Sequence, residues 1–378
     1  MKPDVASLLS RLAPNFIVFD FAMPWIPTVA HPLGVRSLLS PSSSAVFHRL
    51  PHGPIRAIAA GDDRPSLTHQ EPHETPSRIP AASSIAAAGG VSQPYQAQDS
   101  RTSSSPLAGQ PCVFDRVMSC VAECSAIIAK TCEEIERPYI DYVEAEHNKP
   151  MLLAGPVVPE PPSGQLEKRW AQWLAKFEEG SVVYCSFGSE TFLTEEAIRE
   201  LLLGLEMAKL PFFVVLNDPE GEEAMRKKLP EGLEDRVRDR GVIHQGWVQQ
   251  QLILGHSNVG CYVNHGGFSS VVEGLVAGCQ LVMVPQRGDQ YLNSALFAGD
   301  LGIGLEVERQ ETTGDLTRDA VCEAVTKVMK KGEKKDEGEE KMSMEENHRK
   351  WREFFVDKGV EERFTGQFIQ KLKSLAFT

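Results

Sequence analysis

The strongest constraint on the fold lies between Gly260 and Val284, where two short apolar strands are joined through a glycine turn and a helix. Gly260-Cys-Tyr-Val-Asn264 is β-branched and aromatic, whereas Ser269–Ala277 carries Val272, Leu275 and Val276 at helical spacing. Gly266 and Gly267 mark the change of period, and Gln280–Val284 resumes a buried-type strand. The same alternation extends to both sides: Ser181–Phe187, a helix over about Thr194–Ala208 opened by the cap Thr194, Phe212–Leu216, Val242–His244 and Ile303–Val307. Strands and helices alternating at this spacing predict an α/β fold with a parallel, doubly wound sheet. Ligands on such sheets bind beyond the carboxyl ends of the strands, where Ser189, His265 and Asp289 fall.

Polar residues sit at fixed places among these apolar runs, from Trp247 to Gln290. Trp247 offers a flat face for a base and Gln250 an amide for its edge. A glycine-containing strand-to-helix turn, here His265 to Ser270, aims free N–H groups and the positive helix end at an anion. Glu273, expected on the first turn of that helix, can accept two ribose hydroxyls, and Asp289 with Gln290 can bracket a sugar. An esterase oxyanion loop would also use His-Gly-Gly, but it needs a G-x-S-x-G elbow, which the chain lacks. A dinucleotide-binding dehydrogenase would need G-x-G-x-x-G, and Gly299-Asp-Leu-Gly302-Ile-Gly304 has the wrong spacing. Trp247, His265 or Glu273 taken alone is an ordinary core or capping residue; the spaced set is not.

The stretch from Trp247 to Gln290 resembles, at full length and without gaps, the signature box of plant secondary-product UDP-dependent glycosyltransferases. The box's Trp, Gln, His, Gly, Ser, Glu and closing Asp-Gln fall on Trp247, Gln250, His265, Gly267, Ser270, Glu273, Asp289 and Gln290. It departs at Gln249 (usually Pro), Gly266 (Cys), Phe268 (Trp) and Ser269 (Asn), and serine reaches less far than asparagine. Trp-Val-Gln-Gln and Gly-Phe-Ser-Ser are similar to the subgroup that adds a second sugar to an existing glycoside. The resemblance implies a GT-B fold of two Rossmann-like domains and an inverting transfer from a UDP-sugar, with glucose implied by the closing Gln. The acceptor is a small hydroxylated plant metabolite such as a flavonoid or flavonoid glycoside. It implies that Trp247 stacks on uracil, Val248 bonds the base through its backbone, and Gln250 and Glu273 hold base edge and ribose. His265, Ser189, Ser269 and Ser270, with Gly267 and Phe268 in the turn, hold the diphosphate. Asp289 and Gln290 read the sugar. No cofactor or metal is implied, since backbone amides and a helix end take the metal's place and no Asp-x-Asp motif is present.

Asp20, in Phe19-Asp20-Phe21-Ala22, matches the family's aspartate that orients the general-base histidine. That histidine normally lies after the first strand of the N-terminal domain, and none of the nineteen residues before Asp20 is a histidine. The expected organisation is a truncated acceptor-side domain (1–155), a linker (156–180), a UDP-sugar-binding domain (181–350) and a C-terminal helix (351–378) packing back on the first domain. In the first domain, Phe16–Asp20 and Met151–Gly155 read as strands and Phe114–Ile128 as an amphipathic stretch. Residues 51–110, rich in Ser, Pro, Ala and Gly, are expected to be loop or disorder. A non-catalytic UDP-sugar-binding remnant is the competing class. His31, His48 and His52 carry no spacing that nominates a substitute base.

A net charge of −13 argues against nucleic acid as a partner. No run of eighteen apolar residues and no signal pattern at the N-terminus predict membrane insertion or secretion. Eight cysteines without metal or disulfide spacing read as small buried thiols, which places the chain in the cytoplasm.

Overall fold

In the computed structural model, residues 1–40, 113–189, 191–310, 312–330 and 342–377 are described. The expected loop over 51–110 lies outside them, as do His48, His52 and most of the charged run near Lys334. The chain divides into two compact units, Met1–Val157 with Glu361–Thr378, and Val158–Val360.

The second unit is built on six parallel strands: β5 (Val182–Ser186), β6 (Phe212–Val215), β7 (Gly241–His244), β8 (Val259–Asn264), β9 (Gln280–Met283) and β10 (Gly304–Glu306). Their spatial order is β10-β9-β8-β5-β6-β7, so chain order reverses between β5 and β8. Strands β5, β6 and β8 are buried almost throughout. Helices cover both faces of such a sheet, which is why these strands read as continuous apolar runs rather than alternating ones. On one face the helix Glu195–Met207 packs on Arg318–Met329. Thr194 and Thr317 cap them, each hydroxyl accepting a backbone N–H, from Ala197 at 3.2 Å and Ala320 at 3.3 Å. Gly260 is required by close approach: a Cβ there would lie 2.0 Å from the Gly180 carbonyl oxygen.

The first unit holds four parallel strands, β1 (Phe16–Phe19), β2 (Arg36–Leu39), β3 (Ala126–Ala129) and β4 (Met151–Leu153), in that spatial order. Two strands depart from the sequence reading. Phe114–Ile128 is not one amphipathic element: a helix over Val113–Glu123 gives way to β3, whose Ala-Ile-Ile-Ala is wholly buried. A four-residue apolar run carries too little period to separate strand from helix. Strand β2 lies just beyond the helix Ile26–Ala30 and the short helical turn His31–Leu33, and carries only one clear apolar pair, Leu38-Leu39.

Two further boundaries differ. The segment expected to be a linker contains a helix, Lys168–Leu174, whose Trp170 packs on Phe213 at 4.7 Å and His244 at 5.1 Å. The C-terminal segment is two helices, Met344–Val356 and Lys358–Phe377, parted at Asp357, whose side chain accepts the Gly359 N–H at 2.8 Å. The former docks in the second unit, with His348 Nε2 2.8 Å from the Cys279 carbonyl and Arg352 donating to the Val276 carbonyl at 3.1 Å. The latter lays Phe368, Leu372 and Leu375 on Leu38, Ala126, Ile128 and Leu152 of the first unit.

Candidate functional site

Four turns leave the carboxyl ends of strands in the second unit: Phe187-Gly188-Ser189 after β5, Gln245 to Gln249 after β7, His265-Gly266-Gly267 after β8, and Val284 to Gly288 after β9. Strands β5 and β8 are neighbours at the switch point, and a Cβ on Gly188 would come within 3.6 Å of His265 Cε1. Every second-unit residue singled out from the sequence therefore lies on this edge of the sheet or on the first turns beyond it. Asn217, which the sequence reading passed over, ties two of the turns together. Its amide donates to the Gly188 carbonyl at 3.3 Å and its carbonyl accepts the Gly246 N–H at 3.1 Å. A polar residue directly after the buried run Phe212–Leu216 was the available signal.

The turn after β8 is shaped by its own residues. Gly266 has φ +76°, a left-handed conformation costly for side-chain-bearing residues, and its N–H is held by the buried Asn264 side chain at 2.8 Å. A Cβ on Gly267 would meet His265 Nε2 at 2.6 Å. The helix Phe268–Ala277 then starts at Gly267 without a side-chain cap, so its first N–H groups are left for an anion. Ser269 is exposed there, Ser270 hydrogen-bonds the Tyr262 phenol, and Phe268 packs on Phe297 at 5.2 Å. Burial, with Arg287 nearby, holds the His265 imidazole down at about 4. His265 is thus neutral near pH 7 and can donate one hydrogen bond without carrying charge. Its Nδ1 is buried and has no partner among the described residues.

Glu273 lies on the second turn of that helix, not on the first as expected, because the helix begins at Phe268. Burial raises its carboxyl above the usual range, while the Gln250 and Gln251 amides work the other way. Gln250 Nε2 donates to Glu273 Oε2 at 2.6 Å, and the Tyr184 hydroxyl lies 3.2 Å from Gln250 Oε1. Trp247 is 79 % exposed, an apolar face left to solvent, whereas Val248 beside it is buried. Gln249, which stands where the signature box has proline, is a clamp: its carbonyl accepts the Glu167 N–H at 2.7 Å and its amide donates to the Gln165 carbonyl at 3.0 Å.

After β9, burial raises the Asp289 carboxyl, with the Asn293 side chain opposing the shift. Gln290 is buried, and its Oε1 accepts the N–H groups of Gln286 at 2.9 Å and Arg287 at 3.0 Å. Its carbonyl end thus shapes the loop, leaving the amide nitrogen for other contacts. In the first unit, Asp20 follows β1 and is exposed, with Oδ1 accepting the Ala22 N–H at 2.7 Å. His31 Nε2 pairs with Ser37 Oγ at 3.1 Å instead. Among the described residues no histidine is paired with Asp20.

Residues 141–349 match the family described as UDP-glucoronosyl and UDP-glucosyl transferase. An anthocyanidin-3-O-glucoside rhamnosyltransferase of Petunia hybrida is 44% identical over 100% of this chain and 78% of its own length. An anthocyanidin 3-O-glucoside 2''-O-glucosyltransferase of Ipomoea nil is 36% identical over 98% of this chain and 78% of its own. Among solved structures, Phytolacca americana UGT2 complexed with UDP-2fluoro-glucose and pterostilbene superposes with a TM-score of 0.69 at 21% identity. The match covers 99% of this chain and 80% of that one. These structural neighbours make the fold GT-B. The protein is a member of the UDP-glucoronosyl and UDP-glucosyl transferase family and is a glycosyltransferase.

Proposed function

We propose that this enzyme moves a sugar from a UDP-sugar to a hydroxyl of a flavonoid glycoside, with inversion at the anomeric carbon, in the cytoplasm. The observation that carries the donor half is the Gln250–Glu273 pair beside an uncapped helix start at the sheet's switch point. The acceptor half is supported by relatives named for anthocyanidin glycosides, which differ in the sugar they add: rhamnose, glucose and xylose. Glucose is the donor sugar we assign here. Relatives named as transferases also favour catalysis over a non-catalytic remnant.

In the transfer, an acceptor oxygen attacks the anomeric carbon, the bond to the UDP oxygen breaks, and the hydroxyl proton passes to a base. Negative charge grows on the diphosphate. The N–H groups at the start of the helix Phe268–Ala277 and the hydroxyls of Ser189, Ser269 and Ser270 are fixed dipoles that lower its energy. Neutral His265 adds a hydrogen bond. Trp247 stacks on uracil, which the Val248 backbone bonds, Gln250 reaches the ribose or base edge, Glu273 takes the ribose hydroxyls, and Asp289 with the amide of Gln290 reads the sugar. Asp20 is assigned to the acceptor side, where a carboxylate orients a proton-accepting group. No helix among the described residues is long and apolar enough to cross a membrane.

Incubation with a cyanidin 3-O-glucoside and UDP-glucose, UDP-rhamnose or UDP-xylose, read by product mass, tests the reaction. Addition of one glucosyl unit is expected. Transfer of another sugar alone would replace the donor assignment, and failure of UDP to raise the melting temperature would remove the nucleotide site.

A further inference from the structure

Within the sheet of the second unit, two tyrosines from adjacent strands lie side by side. Tyr184 of β5 is the register partner of Tyr262 of β8, and their rings stack with centroids 5.5 Å apart and 29° between planes. Both are almost completely buried, in a sheet whose other inward residues are mainly Val, Cys and Phe. A phenol taken from water into such surroundings costs stability unless its hydroxyl finds a partner, and phenylalanine would fill the same space without that cost. The hydroxyl of Tyr184 has such a partner in Gln250, and Gln250 meets Glu273.

The far end fixes the direction of this chain of hydrogen bonds. A carboxylate only accepts, so the Gln250 atom 2.6 Å from Glu273 Oε2 must be the amide nitrogen. The carbonyl oxygen of Gln250 then faces Tyr184, whose hydroxyl donates to it, while the Ser186 side chain also hydrogen-bonds the phenol. Burial raises the phenol well above its ordinary value, so the phenolic hydrogen stays in place at any working pH. If the donation from Tyr184 is lost, nothing on this side prevents the Gln250 amide from turning over and setting its oxygen against the carboxylate.

We propose that Tyr184 is a positioning residue for nucleotide binding: it locks the Gln250 amide so that Glu273 is held in one orientation, with its remaining lone pairs presented to the ribose hydroxyls. The proposal rests on the ribose role given to Glu273 above. It adds a residue more than sixty positions from the signature stretch's Gln250 to the donor site, acting through a contact no local pattern encodes.

The test is calorimetric titration of UDP and of 2′,3′-dideoxy-UDP into the full chain, as wild type, Tyr184→Phe, Glu273→Ala and the double variant. Tyr184→Phe keeps the ring stack. It is expected to weaken UDP about fivefold, the size of one ordinary hydrogen bond, while leaving dideoxy-UDP unchanged. It should add nothing in the Glu273→Ala background. In turnover it should raise KM for the UDP-sugar while changing kcat less than about twofold, since the lost binding is shared by ground and transition states. Equal weakening of both nucleotides, or an undiminished effect in the Glu273→Ala background, would assign Tyr184 to the core only and overturn the proposal. Loss of UDP affinity in Glu273→Ala with none in Tyr184→Phe overturns the positioning role alone. Unchanged UDP affinity in Glu273→Ala overturns the ribose role and the positioning role together. Should Tyr184→Phe not fold, Gln250→Leu breaks the same link from the helix end; an equal loss for both nucleotides there would likewise overturn the proposal.

Discussion

The two sheets of this protein differ in how completely they are enclosed. In the second unit β5, at the centre, is buried at every position, and the polar residues of the site gather where the chain order reverses beside it. In the first unit β1 is, among the described residues, the last strand of its sheet, with Val18 57 % exposed and only Phe19 fully buried. Parallel sheets depend on cover of both faces, so the second unit is where rigid, preorganised chemistry belongs. The first presents Asp20 exposed at the end of β1, its Oδ1 accepting the Ala22 N–H of the following turn. Enclosure and site quality go together because fixed dipoles are effective only where the surroundings hold them still and exclude water.

The largest expected contrast is in stability. Gly260→Ala sets a methyl group against the Gly180 carbonyl oxygen and should cost about 3 kcal/mol in denaturant unfolding, near the upper end for overpacking. Gly34→Ala in the first unit, where φ is +72° but the space is open, should cost about 1 kcal/mol. Equal losses would show that the second unit is no more tightly built than the first.

Ligand binding sharpens the contrast next. Glu273→Ala should weaken UDP by about 1.5–3 kcal/mol, roughly ten- to a hundredfold, because hydrogen bonds to a charged group are lost. Asp20→Asn should leave UDP affinity where it was. A UDP affinity that follows Asp20 rather than Glu273 would reverse the assignment of the two units.

A pH titration gives an effect of comparable size. The His265 imidazole titrates at about 4 in the folded protein and near its ordinary value of 6.5 when unfolded. Between those values the unfolded chain takes up a proton that the folded one does not, so stability falls as the pH drops through this window. The loss should reach about 3 kcal/mol, and His265→Gln should flatten it. His244 and His348 are also pushed down by burial and add to the slope, so the variant removes one share of it. An unchanged profile in His265→Gln would mean that the imidazole is more open to water than the structure has it.

The smallest contrast concerns ion pairs. Glu200 joins the helix Glu195–Met207 to Arg318 through both its side chain and its backbone N–H, and its side chain is 12% exposed. Arg363–Glu134 in the first unit is exposed at both ends. Glu200→Gln should cost about 1 kcal/mol and Glu134→Gln less than about 0.5 kcal/mol by thermal unfolding, because solvent screens the outer pair. Equal costs would remove burial as the distinguishing factor.

Much of the second unit was legible in advance. Its strands were placed to within a residue or two, and the Thr194 cap was identified from a threonine followed by Glu195 and Glu196. The first unit was harder because β2 and β3 are four residues each, too short for a period to declare itself. Within the site, Trp247, His265 and Glu273 stood out because polar residues interrupt apolar runs at spacings that buried structure alone does not require. Asn217, Asn264 and Tyr184 did not stand out, since each looks like an ordinary end or middle of a strand until its partner is known.

The order of residues by itself determined the parallel α/β architecture, the glycine turn after β8 and the spacing of polar residues in the stretch that follows Trp247. These are local properties: a period, a left-handed turn at Gly266 and a helix start each depend on a few neighbouring residues. Only the tertiary structure decided which groups meet. Gln250 reaches Glu273 across 23 positions and Tyr184 across 66, and Gln290 turns its carbonyl inward to hold its own loop. Such contacts arise when packed strands bring distant residues to the same edge of one sheet. Burial then raises or lowers the charge-carrying groups at that edge, and neither effect is written in the spacing of the chain.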